Sequence, residues 1–411
     1  MRKLWKSIPL SIKTYLKTVL IPMYRLIACL IPVDKKLIVF TALNGSSYSG
    51  SCRSVYEYML ENGIDTKFRI IWCIKKENMQ VTIPGSAMIR PYKDVAYFLL
   101  CARAKVWISD SRNPDYMIKK KNQTYIQIWH GTPYKTLGLD IENLNMVGSF
   151  VGKKKYYDNI RANSSQWDYL VVQNDFSIPI FTRCFDFHKN ILKTGYPRND
   201  ILFTKNNSDS IKKIKTKLGI PLDKKVILYA PTYRDNQYDQ GGEYTFKSEL
   251  DYSKMQKELA NEYIMIVKYH YFIADKIDLS AYEGFIYSID PRADIAELYL
   301  VADCLITDYS SVMFDYSLLH RPMYFYCYDL ENYSNELRGC YFDLIEEAPG
   351  PISRNTDELI KDIKTPQKEL AFRYSGKRSA FYSKYHTYEN GTASERIVRL
   401  IEESCNARIV N

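Results

Sequence analysis

Short apolar runs that alternate with helix-like segments constrain this chain more than any other feature. Each run is too short for a helix and has the length of a buried strand, and each ends in turn-forming or polar residues. Strands that alternate with helices predict a parallel sheet covered by helices on both faces. The predicted strands span residues 36–40, 68–74, 106–109, 125–129, 169–172, 191–195, 226–230, 263–267, 285–288, 304–306 and 323–327.

A change of composition divides this strand series into two. Between Ile201 and Lys215 the chain becomes rich in Lys, Asn, Ser and Asp, and a second series begins at Val226. The length of 411 residues also suits two domains. We therefore expect an α/β protein with two doubly wound, Rossmann-like domains that face each other across a cleft. The predicted parts are a basic amphipathic segment at 1–34, a first domain at 35–205, a second domain at 206–375 and C-terminal helices at 376–411 that pack back on the first domain.

The cysteine and charge content indicate the redox environment of the protein and the kinds of partner that it binds. The nine cysteines include no CxxC pair and no Cys/His cluster, which argues against a zinc site and a full disulfide framework. Several of them sit inside apolar runs, as buried thiols do, which indicates a reducing cytoplasm. The formal net charge of +10 favours anionic partners such as nucleic acid, anionic lipid or phosphorylated substrates.

The first 34 residues place positive charge on an amphipathic segment. Lys6, Lys13 and Lys17 share one helix face, and no acidic residue precedes Asp34. No apolar run approaches the ~20 residues that span a bilayer, and Pro9 interrupts any signal-peptide core. We expect this segment to lie in the interface of an anionic membrane; a helix docked on the protein itself is the alternative. The apolar positions, most of them on one helix face, are Leu4, Ile8, Ile12, Leu16, Val19, Leu20 and Met23.

One strand–turn–helix unit in the second half has a turn rich in hydrogen-bond donors. The strand ends at Ile306, and the turn Thr307–Ser311 precedes apolar residues at helical spacing from Val312 onward. A parallel α/β sheet binds phosphate at such a helix start, although an ordinary capped βα unit has the same sequence pattern. Asp308 repels phosphate, so we expect its carboxylate to hold Arg234 or to cap the helix.

Polar residues also follow other predicted strands. In the first half His130 follows the strand 125–129, and a neutral imidazole at this point could take the proton of an attacking hydroxyl. A hydrogen-bonded structural histidine is the alternative. In the second half Arg234 and His270 follow strands and can bind phosphate oxygens, the arginine with two parallel hydrogen bonds. Glu331 could accept a hydrogen bond from a ribose. No acidic pair resembles a metal site, so we expect no metal and no other cofactor.

At this point the motifs resemble a known family. The block Trp129-His-Gly-Thr-Pro133, with Lys135 and Gly138, resembles the WHGTPxKxxG block of the CDP-glycerol glycerophosphotransferase family, whose members build teichoic acids and related phosphopolyol chains. The resemblance covers roughly Lys36 to Arg396, with the blocks in the same order. Further similar blocks are Asn44-Gly-x-x-Tyr-Ser49, Ser109-x-Ser-Arg112, Gly195–Asp200, Ala230–Asp235, Thr307–Ser311, Phe314–Tyr316, Arg321–Pro322, Tyr328–Glu331 and Pro349–Pro351.

The resemblance implies a GT-B fold, with a cytidine-diphosphate polyol donor in the second domain and a membrane-borne acceptor at the first. It implies that His130 is the base. It also implies donor-phosphate contacts from His270, Arg234, Ser310, Ser311 and Thr307, with support from Asp308, Thr232, Arg198 and Glu331. The acceptor side would comprise Asn44, Ser49, Gly131 and Thr132. The chain departs from the family at Tyr233, where Trp is usual, and at Tyr271, where Pro is usual.

The reaction so implied is attack of an acceptor hydroxyl on the phosphorus nearest the glycerol of CDP-glycerol, with CMP as the leaving group. The expected acceptor is a lipid-linked glycan or polyol phosphate, and the expected place is the cytoplasmic face of the membrane, peripherally bound. A CDP-ribitol transferase and a GT-B nucleotide-sugar glycosyltransferase are the alternatives. Nucleic acid is not an expected partner, because the basic residues form no stripe with interleaved aromatic residues. The sequence does not distinguish a primase from a polymerase, or wall teichoic acid from capsule as the product. It also does not give the oligomeric state.

Overall fold

The computed structural model describes residues 10–142, 152–232, 249–269, 278–290, 292–330 and 339–406, with side chains from residue 18 onward. Within these ranges the chain forms a seven-stranded and a six-stranded sheet, both parallel throughout. This confirms the predicted α/β class with two doubly wound, GT-B-like halves. Every strand predicted above has a counterpart, and two short edge strands were not predicted, Met88–Pro91 and Ile352–Ser353.

The first sheet has the strand order β3-β2-β1-β4-β5-β6-β7. Its central strands are buried on both faces, as apolar runs in a helix-covered parallel sheet must be. Fully buried Trp72, Trp107 and Trp167 fill its core. The strands are β1 Asp34–Thr41, β2 Arg69–Ile74, β3 Met88–Pro91, β4 Ala104–Ser109, β5 Thr124–Gln127, β6 Tyr169–Val172 and β7 Asn190–Lys193.

The second sheet has the order β10-β9-β8-β11-β12-β13. In both sheets the order reverses beside the first strand, between β1 and β4 and between β8 and β11. Such a reversal opens a crevice at the carboxyl ends of the two strands, which is where ligands bind in open α/β sheets. The strands are β8 Lys225–Tyr229, β9 Tyr263–Val267, β10 Ile286–Tyr287, β11 Cys304–Thr307, β12 Met323–Tyr326 and β13 Ile352–Ser353.

Helices cover both sheets. Those before residue 206 are α1 Leu10–Leu30, α2 Gly50–Glu61, α3 Val95–Arg103, α4 Lys153–Ser164, α5 Ser177–Phe185 and α6 Asp200–Thr204. Those after it are α7 Ser208–Lys217, α8 Tyr252–Leu259, α9 Ile295–Val301, α10 Val312–Tyr316, α11 Leu344–Glu347, α12 Thr356–Lys364, α13 Gln367–Arg373, α14 Ser375–Tyr385 and α15 Ala393–Asn406.

The chain crosses back to the first sheet near its C-terminal end. Phe381 and Tyr385 of α14 belong to the core under the second sheet. Ile397 and Ile401 of α15 belong to the core under the first sheet, where α15 packs on α2 and β4. The segment between α14 and α15 therefore passes the junction of the two halves, beside the cleft.

Helix α1 lies on the surface of the first half. Tyr24 packs edge-on against Phe98 of α3, with ring centroids 5.6 Å apart, and Ala28 is fully buried. The Nζ of Lys120 donates to the backbone oxygens of Ala28 (3.1 Å) and Ile31 (2.5 Å), which fixes the end of the helix. None of the helices in the described ranges is both long and apolar enough to cross a membrane.

Candidate active site

A cleft of about 1120 Å³ lies between the carboxyl ends of the two sheets. The loops that follow β1, β4, β5 and β7 form one wall, and the loops that follow β8, β9 and β11 form the other. Eight of the residues predicted from the sequence line this space, and their positions decide what each can do. The predicted residues that line the cleft are Ser49, His130, Gly131, Thr132, Arg198, Thr232, Ser310 and Ser311.

The His130 ring has a defined tautomer. Its Nδ1 lies 2.9 Å from the backbone oxygen of Asp110, which can only accept, so Nδ1 carries the proton. The Nε2 of a neutral ring is then left with a lone pair. Trp129 adopts a left-handed backbone conformation (φ 57°) and stacks on the His130 ring with centroids 4.3 Å apart. This turn ends the strand before its predicted limit and presents the imidazole to the cleft.

The electrostatic setting keeps His130 neutral. The side chain is exposed to the cleft, and the protein groups packed around it displace part of its hydration. This desolvation lowers its pKa below the usual 6.5, and the positive charges of Arg198 and Arg112 act in the same direction. The hydrogen bond to the Asp110 backbone oxygen and the Asp110 carboxylate oppose the shift. A neutral imidazole at pH 7 can act as a base.

Asp110 connects the loops after β4 and β1. Its buried carboxylate accepts hydrogen bonds from the backbone N–H of Leu43 (2.8 Å) and the hydroxyl of Ser111 (2.7 Å). The Ser111 hydroxyl oxygen in turn accepts from the Asn44 N–H, at 3.2 Å. Leu43 and Asn44 both adopt left-handed conformations, which these hydrogen bonds stabilise. Asn44 itself does not line the cleft, and its side-chain oxygen accepts from Tyr92.

Gly131 brings the two walls into contact. A Cβ at this position would lie 3.1 Å from the Ser311 hydroxyl oxygen, and the Gly131 φ of 151° is one that other residues rarely adopt. The loop after β5 therefore touches the turn after β11 directly. The adjacent Thr132 is buried, and its hydroxyl donates to Gln173 (2.7 Å) and accepts from Asn174 (2.8 Å). This side chain holds the loop.

The turn after β11 supplies hydroxyl groups to the cleft from Ser310 and Ser311. Thr307 does not reach the cleft: its buried hydroxyl donates to the backbone oxygen of Ala230, at 2.8 Å. The Asp308 carboxylate accepts from the backbone N–H of Thr232, at 2.7 Å. These two contacts join the turns after β8 and β11, so Thr307 and Asp308 position the cleft wall from behind.

Arg198 forms a buried ion pair with Asp315 across the two halves. Its Nε and Nη2 donate to one carboxylate oxygen of Asp315, at 2.9 and 2.6 Å. The other oxygen accepts from the side chains of Asn199 (3.0 Å) and Gln173 (3.4 Å). Asp315 lies on α10, which follows directly from the Ser310–Ser311 turn. The pair therefore fixes that turn against the wall that carries His130.

Glu389 lies behind this ion pair, on the segment that crosses between the halves. One carboxyl oxygen accepts from the backbone N–H of Tyr196 (3.0 Å) and from Asn199 (2.8 Å). The other is buried and has no partner among the described residues. Burial raises the pKa of Glu389 to about 8, and the carboxylates of Asp315 and Asp200 add to the shift. Glu389 is therefore protonated in the folded protein at pH 7.

Three predicted site residues, Arg234, His270 and Glu331, lie outside the described residues. Sequence reasoning missed Asp110, Asp315 and Lys268. Asp110 and Lys268 directly follow predicted strands, so their positions carried the same signal as His130. Burial lowers the pKa of Lys268 to about 8, and its Nζ donates to the backbone oxygen of Ala293 at 3.0 Å. Within the described ranges, no three His, Cys, Asp or Glu side chains form a group that could hold a metal ion.

Several known proteins are similar to this chain over most of its length. Residues 23–403 match the family described as CDP-Glycerol:Poly(glycerophosphate) glycerophosphotransferase. The chain is 42% identical over 382 residues to the teichoic acid poly(glycerol phosphate) polymerase of Bacillus subtilis, covering 92% of this chain and 50% of that protein. It therefore spans about half the length of that relative. It is 40% identical to the teichoic acid glycerol-phosphate transferase of Staphylococcus aureus, covering 90% of this chain and 93% of that protein.

A third relative and a solved structure extend the comparison. The teichoic acid ribitol-phosphate primase of Bacillus spizizenii is 30% identical, over 92% of this chain and 94% of that protein. The structure of the wall teichoic acid polymerase TagF superposes with a TM-score of 0.87 at 38% identity, covering 96% of each chain. The whole described architecture, both sheets included, is thus that of a solved relative.

We predict that Asp315→Ala destabilises the protein strongly. It leaves the Arg198 guanidinium buried without a counter-charge, which costs roughly 3–5 kcal/mol of unfolding free energy. The double variant Arg198→Met/Asp315→Leu should recover much of this loss. The exposed pair of Lys254 and Asp357 provides the control, and Asp357→Ala should leave the calorimetric Tm nearly unchanged. Equal effects of Asp315→Ala and Asp357→Ala would contradict the prediction.

A second prediction concerns pH. Because the pKa of Glu389 rises from 4.5 to about 8 on folding, the folded state retains a proton that the unfolded state releases. The contribution of the Glu389 carboxyl to the free energy of unfolding is fully present below pH 4.5. It is lost, by about 1.4 kcal/mol per pH unit, as the pH rises toward 8. Glu389→Gln, which mimics the protonated form, should raise the Tm at pH 8 and leave it unchanged at pH 4. Parallel Tm–pH curves for the two proteins would refute the assignment.

Proposed function

The chain belongs to the CDP-glycerol:poly(glycerophosphate) glycerophosphotransferase family, and from this premise we propose its reaction. It transfers a glycerol-phosphate unit from CDP-glycerol to a hydroxyl of a membrane-linked, teichoic-acid-like or capsular acceptor and releases CMP. Support for glycerol over ribitol comes from the relatives that are 39–42% identical, which are all named for glycerol phosphate, whereas those that are 30% identical include both glycerol-phosphate and ribitol-phosphate enzymes.

The observation that carries the proposal is the orientation of His130. With Nδ1 donating to the Asp110 backbone oxygen, Nε2 is the atom that faces substrate as a base. It accepts the proton of the acceptor hydroxyl while the hydroxyl oxygen bonds to the phosphorus nearest the glycerol. The bond from that phosphorus to the bridging oxygen breaks, and the oxygen leaves with its electron pair on CMP. The catalytic contribution is positioning together with stabilisation of charge.

The second wall receives the developing negative charge. Ser310 and Ser311 offer hydroxyl donors from the turn after β11, and Lys268 offers a cation at the end of β9. Arg234 and His270 follow β8 and β9 in sequence, and we assign them to the donor phosphates on the family pattern. Charge-assisted hydrogen bonds from such groups stabilise a leaving phosphate in a water-poor cleft.

The proposed reaction gives each part of the chain a role. Residues 35–205 form the acceptor domain, 206–375 the CDP-donor domain, and 376–411 return toward the acceptor domain. Support comes from the two separate cores and from α15, which packs on α2 and β4. The Gly131–Ser311 approach and the Arg198–Asp315 pair then lie where the two substrates meet.

Helix α1 is proposed to hold the enzyme on an anionic membrane, at the cytoplasmic face where a lipid-linked acceptor resides. Support comes from an apolar face that the protein leaves uncovered: Leu26 and Leu30 are 65% and 76% exposed, and Val95 of α3 is 71% exposed. Tyr24 and Ala28 face the protein on the opposite side. Burying such a face in the lipid interface is favourable, and neighbouring lysines add attraction to anionic headgroups. The other uncovered apolar residues of α1 are Val19, Leu20, Met23 and Ile27.

Replacement of His130 tests the base. His130→Ala should lower acceptor-dependent CMP release about 10²–10⁴-fold, with the dissociation constant for CDP-glycerol unchanged. His188→Ala removes an exposed histidine and should retain full activity. In the wild-type protein kcat/KM should decrease only when the pH is lowered below 6.5, because the pKa of His130 lies below its usual value of 6.5. Turnover near the wild-type value in His130→Ala would eliminate this residue as the base.

Vesicle flotation tests the membrane surface. Leu26→Glu/Leu30→Glu places two charges on the uncovered face of α1 and should abolish flotation with vesicles that contain phosphatidylglycerol. Leu222→Glu changes an equally apolar residue that is 51% exposed elsewhere and should float as the wild type does. The proposal fails if the double variant still floats, or if the wild type does not.

A further inference from the structure

The cleft wall beyond His130 carries a cluster of cationic and hydroxyl groups that the transfer step does not use. Lys75 is the first residue after β2, and Ser46, Ser47 and Ser49 lie in the loop after β1. All four line the cleft. Because β1 and β2 are neighbours in the sheet, their carboxyl ends bring these groups together.

The cluster is held in a fixed arrangement. The Lys75 ammonium donates to the Ser46 hydroxyl oxygen at 2.8 Å, and the Lys75 backbone N–H donates to the Gly45 carbonyl at 2.7 Å. The Asn78 side chain donates to the Ser46 carbonyl at 2.7 Å. Gly45 has a φ of 75°, and a Cβ there would lie 2.7 Å from the ring of Tyr92. The loop is thus packed in a conformation that only glycine permits.

Among the described residues, the Lys75 ammonium has no counter-ion and the cluster keeps spare hydroxyl protons, whereas the two arginines that line the cleft are both paired. Arg198 pairs with Asp315 and Arg292 with Asp290. Among the described residues no carboxylate lies within ion-pair distance of Lys75, although Glu77 lines the same part of the cleft. Ser46 accepts from Lys75 and has no described acceptor for its own proton. Ser47 and Ser49 share one hydrogen bond of 2.6 Å, which leaves one further proton between them.

The positive charge of Lys75 also affects the pKa of a second lysine. The pKa of Lys93 is lowered, mainly by burial and further by repulsion from Lys75. A cation with two hydroxyl protons and no resident counter-ion is a complete donor set for one singly charged phosphate. An anion from the substrate would complete these interactions.

We propose that Lys75, with Ser46 and the Ser47–Ser49 pair, binds a phosphodiester of the acceptor chain behind its attacking hydroxyl. The proposal rests on the proposed function and adds to it the feature of the acceptor that is recognised. Strands β2 and β5 are three strand spacings apart, roughly 14 Å, so this subsite takes a phosphate set back from the terminal unit at His130. The acceptor class is therefore a polyol-phosphate chain that already carries internal phosphates.

Binding and kinetics of matched lysine variants test this subsite. A synthetic glycerol-phosphate trimer is titrated by calorimetry into the wild-type protein, Lys75→Ala, Lys75→Arg and Lys76→Ala. Loss of one charge-assisted contact should weaken trimer binding about 10-fold to 100-fold in Lys75→Ala, and Lys75→Arg should recover most of it. Lys76 is the exposed neighbour outside the cleft, and its replacement should change binding less than twofold. Equal Tm values establish that each variant is folded.

The same variants separate acceptor from donor. In transfer assays Lys75→Ala should raise the KM for the trimer and leave the KM for CDP-glycerol unchanged. If it weakens CDP-glycerol instead, the cluster serves the donor diphosphate and the inference is overturned. It is also overturned if Lys75→Ala binds the trimer as the wild type does. A wild-type protein that binds the trimer but transfers nothing from CDP-glycerol would refute the proposed function and leave the anion subsite standing.

Discussion

The buried ion pair between Arg198 and Asp315 is the interaction on which the rest of the site depends. Each half of the molecule supplies one polar wall: the first carries His130, and the second carries Ser310 and Ser311. Arg198 follows β7 of the first sheet, and Asp315 lies one helical turn beyond the Ser310–Ser311 turn of the second. Because both groups are buried, the charges must stay paired, and the pairing brings Gly131 against Ser311. The relative position of the two walls is therefore set by electrostatics as well as by packing.

The fold was largely predictable, because its information is local. Apolar runs that end in polar residues identify the central strands, and the reversal of strand order follows from topology. The edge strands Met88–Pro91 and Ile352–Ser353 were not predictable, since they are short and only partly buried. His130, Ser310 and Ser311 line the cleft, as their positions after strands predict. The role of Asp315 was not predictable, since its partner lies 117 positions away in sequence and only the assembled halves bring the two charges together.

A position directly after a strand does not by itself decide whether a side chain faces the cleft. Thr307, Asp308 and Thr132 occupy the right places in sequence, yet their side-chain oxygens bond to Ala230, Thr232, and Gln173 with Asn174. Which way a side chain points at a strand end depends on backbone dihedrals such as the left-handed turn at Trp129. These conformations are stabilised by contacts distant in sequence. The sequence therefore identifies the cleft but does not separate the residues that face substrate from those that support them.

A donor screen tests the central claim most directly. Purified protein is incubated with a glycerol-phosphate acceptor and, in separate reactions, CDP-glycerol, CDP-ribitol and UDP-sugars, and release of the nucleotide is followed. The account predicts acceptor-dependent release of CMP from CDP-glycerol, with much lower rates from CDP-ribitol and none from UDP-sugars. Preferential turnover of CDP-ribitol or of a UDP-sugar would contradict it.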